Sequence, residues 1–369
     1  MPAPYDVIVL GLGGIGSAIA NDLASNGVRV LGLEQFPAVH DLGSSHGETR
    51  AIRRAYFENP NYIPLIRRAY ELWEKYQKDS GLTLLQKPGC LLMGPEKSKV
   101  IAGCVAAAKT AQIPHEILKE LDIRTRFGFS VPAGTKGFFE PDGGYLFVEQ
   151  CIQFFIDNAI KKGADLRFEQ KVESWQNVDG AIEVNTAGET FLSRKLVICL
   201  GAWTGKNTPD FKLPLSPKRT AMYWFKQGRA QPTLPVFFQE TGFGPWIYGF
   251  PPLNREVKMS FHNVYTDCDP DTVKRTIDAP EIKAIEKFTR SLMPLVGSYS
   301  RGKACMYTMT PDENFVVGPL KDQHSNVFLA CGFSGHGFKF APAIGELASN
   351  FALGKKQPDI GFLSPGRFG

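Results

Sequence analysis

The first apolar run, Tyr5–Leu10, shows no polar alternation, the pattern of a strand buried on both faces of a parallel sheet. It leads directly into Gly11-Leu12-Gly13-Gly14-Ile15-Gly16. Apolar residues then recur at helical spacing (Ile19, Leu23) across residues 17–26 and stop at Gly27, and residues 28–34 read as a second strand, so the chain opens as a βαβ unit. Two amphipathic helices are predicted further on. One spans 61–78, with Tyr62, Leu65, Ile66, Ala69, Tyr70 and Trp73 on one face; the other spans 147–162, with Cys151, Phe154, Phe155 and Ala159. Strand-like segments follow at 165–175, 182–186, 189–192 and 195–200.

From about residue 214 to 301 prolines, aromatics and short apolar runs dominate, which predicts an antiparallel sheet interrupted by a helix near 280–293. The tail returns to α/β character, with a strand at 326–331, a glycine-rich turn and a helix at 342–353. The expected fold class is therefore α/β plus α+β: a Rossmann-type dinucleotide-binding domain with a discontinuous antiparallel-sheet substrate domain. The predicted boundaries are 1–84, 140–211 and 305–369 for the first domain and 85–139 and 212–304 for the second.

Composition narrows the class. At 369 residues the chain suits about two domains, and 43% hydrophobic with 21% charged residues is a globular balance, not a disordered one. A net charge of +5, spread without basic runs, favours anionic small ligands over nucleic acid. The seven cysteines (90, 104, 151, 199, 268, 305 and 331) show neither CxxC nor Cys/His metal spacing, so no disulfide framework and no metal are expected. The opening MPAPYDVIVLGLGG lacks a basic leader and reads as a strand, no apolar stretch of about 18 residues occurs, and SPGRFG is no peroxisomal tripeptide. A soluble cytoplasmic protein without membrane contact is the expectation.

Gly11, Gly13 and Gly16 fit GxGxxG between a strand and a helix. The first glycine permits the tight turn, the second lets a pyrophosphate approach the backbone, and the third lets helix and strand pack closely. Gly14 and Ile15 belong to the same turn, where helix N–H groups favour a phosphate. Glu34 ends the second strand, where a carboxylate takes ribose hydroxyls, with Gln35 beside it. The motif alone does not separate NAD from FAD. The strand at 195–200, running into Gly201-Ala202-Trp203-Thr204, resembles the late return of the chain to the dinucleotide in some FAD enzymes.

Three longer segments are more specific: Gly43-Ser44-Ser45-His46-Gly47-Glu48-Thr49-Arg50 with Ala51-Ile52-Arg53, then Cys305-Met306-Tyr307-Thr308-Met309-Thr310-Pro311-Asp312-Glu313, and Gly332-Phe333-Ser334-Gly335-His336-Gly337-Phe338-Lys339. Together with Glu140-Pro141-Asp142-Gly143-Gly144 and Tyr248-Gly249-Phe250-Pro251, they resemble the monomeric sarcosine oxidase family, which includes N-methyltryptophan and pipecolate oxidases of the D-amino-acid-oxidase-like superfamily. The resemblance covers essentially the whole chain. It implies FAD bound covalently through Cys305 to the flavin 8α carbon, a reaction that needs a cation near the thiolate. It implies Lys258 as the lysine assisting reaction with O2, by stabilising developing negative charge, and His262 near the substrate amine. Arg53 and Lys339 match the pair that holds the substrate carboxylate, a geometry suited to a guanidinium fork, with Arg54 as a neighbouring decoy. Tyr248, Tyr307 and Gly335 match the substrate pocket, and His46 and Arg50 match residues packed on the flavin ring. Ser44, Ser45, Thr49, Val172, Gly201, Trp203, Met306, Gly332, Phe333, His336 and Gly337 complete the implied cofactor cradle, together with Gly335 and Lys339.

The implied activity is oxidation of a small anionic secondary amino acid, of the sarcosine or N-methyl type, to an imine, with O2 reduced to hydrogen peroxide by a monomer. Alternatives within the resemblance are fructosyl amino acids and cyclic imino acids such as pipecolate or proline. Beyond them stand a dehydrogenase using an electron carrier and a non-catalytic FAD-binding module. Three departures from the family pattern bear on the pocket or its loop: Glu48 where Asp is usual, a spacing one residue shorter between Pro251 and Lys258, and the bulky Trp246 at the end of 242–246.

Overall fold

The computed structural model describes residues 5–228, 233–241 and 244–368, so Gly242 and Phe243 of the 242–246 stretch lie outside the described residues. Tyr5–Leu10 forms the expected strand, flanked in parallel by Val30–Leu33 on one side and Thr190–Ile198 on the other. Asp165–Arg167 and Val327–Cys331 extend this parallel core outward, and the hairpin Val172–Val178/Ala181–Thr186 pairs antiparallel to the first half of Thr190–Ile198. Alternation explains the burial on both faces. Val7, Val9 and Val30 join one apolar cluster with the helices Gly14–Ser25, Val148–Lys161 and Ala341–Ala352, whereas Ile8, Leu10, Leu31, Leu33, Ile198 and Leu329 fill the opposite face. Each such aliphatic side chain contributes about 1.5–3 kcal/mol by leaving water.

The second sheet has nine strands among the described residues and is built around the long pair Ser216–Lys226 and Tyr299–Met309. Glu256–Phe261, Ile247–Gly249, Val236–Gln239, Cys90–Gly94, Lys136–Glu140 and Glu116–Lys119 continue it. Period-two geometry sorts its residues. Tyr223, Phe225, Val257, Met259 and Phe261 pack under the helix Ala279–Leu292, through Ile285 and Leu292. The alternate positions Met222, Trp224 and Cys305 form a separate small cluster on the other face. Trp224 stands opposite Lys258 and Thr220 opposite Cys305, so both functional candidates lie on that second face. A small third sheet joins Thr49–Ile52, Gly144–Phe147 and Leu85–Gln86.

Most predicted elements shift only at their ends. The first helix begins at Gly14 instead of Ser17, which places Gly16 inside it; the second strand contracts to Val30–Leu33. The 61–78 helix becomes a 3-10 turn, Pro60–Tyr62, followed by Ile63–Ser80. Segments 189–192 and 195–200 fuse into the one strand Thr190–Ile198. No helix among the described residues is long and apolar enough to cross a membrane.

Candidate active site

A cavity of about 290 Å³ runs from the glycine turn, past Tyr299–Met309, to the strands Val236–Gln239, Ile247–Gly249 and Cys90–Gly94 in the middle of the second sheet. At one end the backbone itself makes the floor. A Cβ on Gly11 (φ +86°) would lie 2.6 Å from the Cys199 carbonyl oxygen, and one on Gly16 would lie 1.8 Å from the Gly11 carbonyl oxygen. A Cβ on Gly13 would meet nothing within 4 Å, so the open space lies above that residue. Close packing below and emptiness above suit the approach of a pyrophosphate to the backbone. The Glu34 carboxylate is fixed at the edge of this space by the N–H groups of Leu12 (2.8 Å) and Phe36 (3.1 Å). Gly14, Ile15, Gln35, Ser44, Ser45, Val172, Gly201 and Trp203 share the lining with it.

Midway stands the Cys305 sulfur, on the cavity wall with Met306. The Arg50 guanidinium reaches it at 3.6 Å and also donates to the Ser44 carbonyl at 2.8 Å, tying the loop to the strand. His46, Thr49 and Gly16 do not line the cavity. Gly16 is consumed by helix–strand packing. His46 is buried behind the wall with both ring nitrogens unpartnered, and the Thr49 hydroxyl is likewise buried without a partner. Burial, reinforced by the Arg50 charge, pushes the His46 imidazole down to about 3. A cradle open above Gly13, orphaned polar atoms behind the loop and a thiol beside a cation fit a dinucleotide whose reactive ring end lies near Cys305.

Lys258 is also off the lining. Its ammonium donates to the carbonyls of Gly47 (2.8 Å) and Thr49 (2.6 Å) and lies 4.1 Å from the centre of the Phe250 ring. Burial first, and Arg50 second, lower its pKa well below the usual lysine value. The carbonyls it holds belong to a loop pinned from three directions. The Glu149 carboxylate, in the first turn of Val148–Lys161, accepts from the N–H groups of Gly47 and Glu48. Trp224 and Arg301 donate to the Glu48 carboxylate at 2.8 and 2.9 Å.

The far end gathers two buried cations. Arg53 donates to the Glu58 carboxylate and to the Ala55 carbonyl, each at 2.5 Å, while Lys339 donates to the His336 carbonyl at 2.8 Å. Burial would raise the Glu58 pKa, but Arg53 overrides it and holds the carboxyl down to about 2. Burial, with Arg53 nearby, lowers Lys339 to about 7. Arg54 turns away to Asp142 at 2.9 Å and covers Tyr70. The remaining wall is aromatic: His262 lies among Phe238, Tyr248 and Tyr307, with ring centres 5.8–6.4 Å away, while Trp246 stacks on it at 6.2 Å without lining the cavity, and burial takes the imidazole down to about 4. A Cβ on Gly335 (φ +80°) would strike the Tyr307 ring at 2.9 Å. Gly332, Phe333, His336 and Gly337 complete this end of the lining.

Sequence reasoning passed over Glu58, Tyr56 and His40. Glu58 lines the cavity and neutralises Arg53, and His40, also on the lining, approaches the Glu34 carboxylate at 3.6 Å. None of the three sits at a helical or strand period from its partner, so only the fold brings them together.

A glycine-floored parallel sheet meeting a second sheet that carries a thiol, buried cations and aromatic walls defines a dinucleotide-dependent oxidoreductase. Comparison with known proteins agrees. The family model described as FAD dependent oxidoreductase (DAO) matches residues 6–350. Monomeric sarcosine oxidase of Streptomyces avermitilis is 37% identical, over 100% of this chain and 98% of its own. N-methyl-L-tryptophan oxidase of Yersinia pestis is 33% identical, over 99% of each. Among solved structures NikD, an amino acid oxidase of nikkomycin biosynthesis in its open form, superposes with a TM-score of 0.89 at 25% identity, over 98% of both chains. The chain belongs to the FAD-dependent oxidoreductase (DAO) family.

Proposed function

We propose that this protein oxidises a small secondary amino acid of the N-methyl type to an imine and passes the electrons to O2, giving hydrogen peroxide. The observation that carries the reading is the pairing, in one cavity, of a thiol 3.6 Å from a guanidinium with two buried cations, Arg53 and Lys339. Bound FAD supplies the two-electron acceptor; Gly11, Gly13, Glu34 and Trp203 would hold its nucleotide half and Cys305 its ring end, covalently.

The chain's own residues supply binding, orientation and charge. Arg53 and Lys339 grip the substrate carboxylate, and Glu58 keeps the Arg53 fork fixed before substrate arrives. Neutral His262 accepts a hydrogen bond from the substrate amine without adding charge beside it. Phe238, Tyr248 and Tyr307 exclude water from the reacting carbon. Lys258, held by the Gly47 and Thr49 carbonyls behind the loop, is the group that would carry positive charge as negative charge builds during the reduction of O2, against the burial that disfavours that charge at rest. The glycine-floored sheet serves the cofactor and the nine-stranded sheet the substrate, with Tyr299–Met309 at their boundary. The similarity to enzymes named monomeric supports a single working chain, and its place is in the cytoplasm.

Two measurements test this. Mixed anaerobically with sarcosine, N-methyl-L-tryptophan, L-pipecolate and fructosyl-valine, the yellow protein should bleach with at least one; no bleaching by any rejects the reading. After acid denaturation the flavin absorbance should stay with the polypeptide, and Cys305→Ala should release it. Release from the wild type would remove Cys305 from its role.

A further inference from the structure

Resting on the assignment of Lys339 to the substrate carboxylate, we propose that His336 and Tyr56 are positioning residues that aim the Lys339 ammonium. The Tyr56 hydroxyl bonds His336 Nδ1, and His336 Nε2 lies 3.0 Å from the Glu313 carbonyl oxygen. A carbonyl can only accept, so Nε2 carries the ring proton; Nδ1 is then an acceptor, and Tyr56 donates to it. The Glu313 carbonyl therefore selects the Nε2–H form, and the Tyr56 hydroxyl, which can donate or accept, completes it by donating to Nδ1. Burial, with Lys339 close by, disfavours a second ring proton.

The ring cannot turn to other partners. Phe315 lies 4.6 Å from it, centre to centre, and Tyr62 stands edge-on at 5.9 Å. Tyr56 is fully buried. From this fixed residue the main chain leads straight to the cation: the His336 carbonyl accepts from Lys339 Nζ at 2.8 Å, and Trp73 donates to the Lys339 carbonyl at 2.8 Å. Gly337, between them, packs closely against Phe333, whose ring a Cβ there would meet at 2.4 Å. The ring thus fixes a carbonyl, and the carbonyl fixes the direction of the ammonium. Because the ring stays neutral, it adds no third positive charge to Arg53 and Lys339.

The test is calorimetric titration of the flavin-loaded enzyme with acetate, a carboxylate lacking an amine, alongside steady-state kinetics on a substrate that bleaches it. Lys339→Met should abolish acetate binding. Tyr56→Phe, which keeps the ring but removes the donor, should weaken acetate about tenfold and raise KM by a similar factor while kcat changes far less. His336→Gln retains a donor toward Glu313 and should recover part of the affinity that His336→Ala loses. If Lys339→Met loses acetate but Tyr56→Phe binds it like the wild type, or His336→Ala does, the positioning role is overturned and the carboxylate assignment stands. If Lys339→Met itself binds acetate normally, the assignment falls, and this inference with it. Should His336→Ala fail to load flavin, the other two variants decide.

Discussion

Lys339 and Arg53 share a task but hold their charges differently. Burial works against the Arg53 charge, yet Glu58 at 2.5 Å keeps the guanidinium protonated at any working pH. Lys339 has no carboxylate in direct contact among the described residues, and burial, with Arg53 behind it, leaves it poised at about 7. The sign follows. Below that value both cations face the ligand; above it the ammonium loses its proton and only the guanidinium remains. Acetate affinity, measured by calorimetry from pH 5.5 to 8.5, should therefore fall as pH rises through about 7. Affinity that rises or stays flat would mean Lys339 does not meet the carboxylate. The identity of Lys339 could be read in the sequence through its motif, but its lowered pKa could not, because Tyr56 and Trp73, which pack against it, are distant along the chain.

At the scale of elements, the glycine turn separates two requirements that sequence spacing merges. Gly16 is required by packing, since even a methyl group would enter the space of the Gly11 carbonyl. Gly13 is required only by what lies above it, since a methyl group there meets no protein atom and its backbone (φ −67°) suits any residue. Gly16→Ala should thus lower the melting temperature of the flavin-free protein, a loss of roughly 1–3 kcal/mol from overpacking. Gly13→Ala should leave that melting temperature alone and still impair flavin loading. Equal destabilisation by both would place the constraint in the fold and not in the ligand. This βαβ unit was legible because its strands are buried on both faces and the glycine turn marks where the helix begins. Residues 85–139 gave no such signal. Leu85–Gln86 is two residues long, Glu116–Lys119 buries one side chain in four, and the alanine-rich Lys99–Ala111 lacks a strong polar face.

Over the whole molecule, the tail strand near 326–331 was readable, and as Val327–Cys331 it pairs in parallel with Thr190–Ile198. How the second sheet meets the first was not, because the junction depends on cross-strand register: Thr220 opposite Cys305 and Trp224 opposite Lys258. A one-residue slip there would turn both side chains to the opposite face. Tyr299–Met309 is paired as a strand of the second sheet, yet it presents its sulfur to a cavity whose floor is the glycine turn of the first, and its Thr308 carbonyl accepts from Ser334 in the turn after Val327–Cys331 at 2.9 Å. One apolar cluster, holding Val7 and Val9 of the first sheet with Leu92 and Val236 of the second, already joins the two layers. A cofactor lying along the cavity from the glycine turn toward that sulfur would touch both, so its loading should raise the resistance of the two sheets to unfolding together.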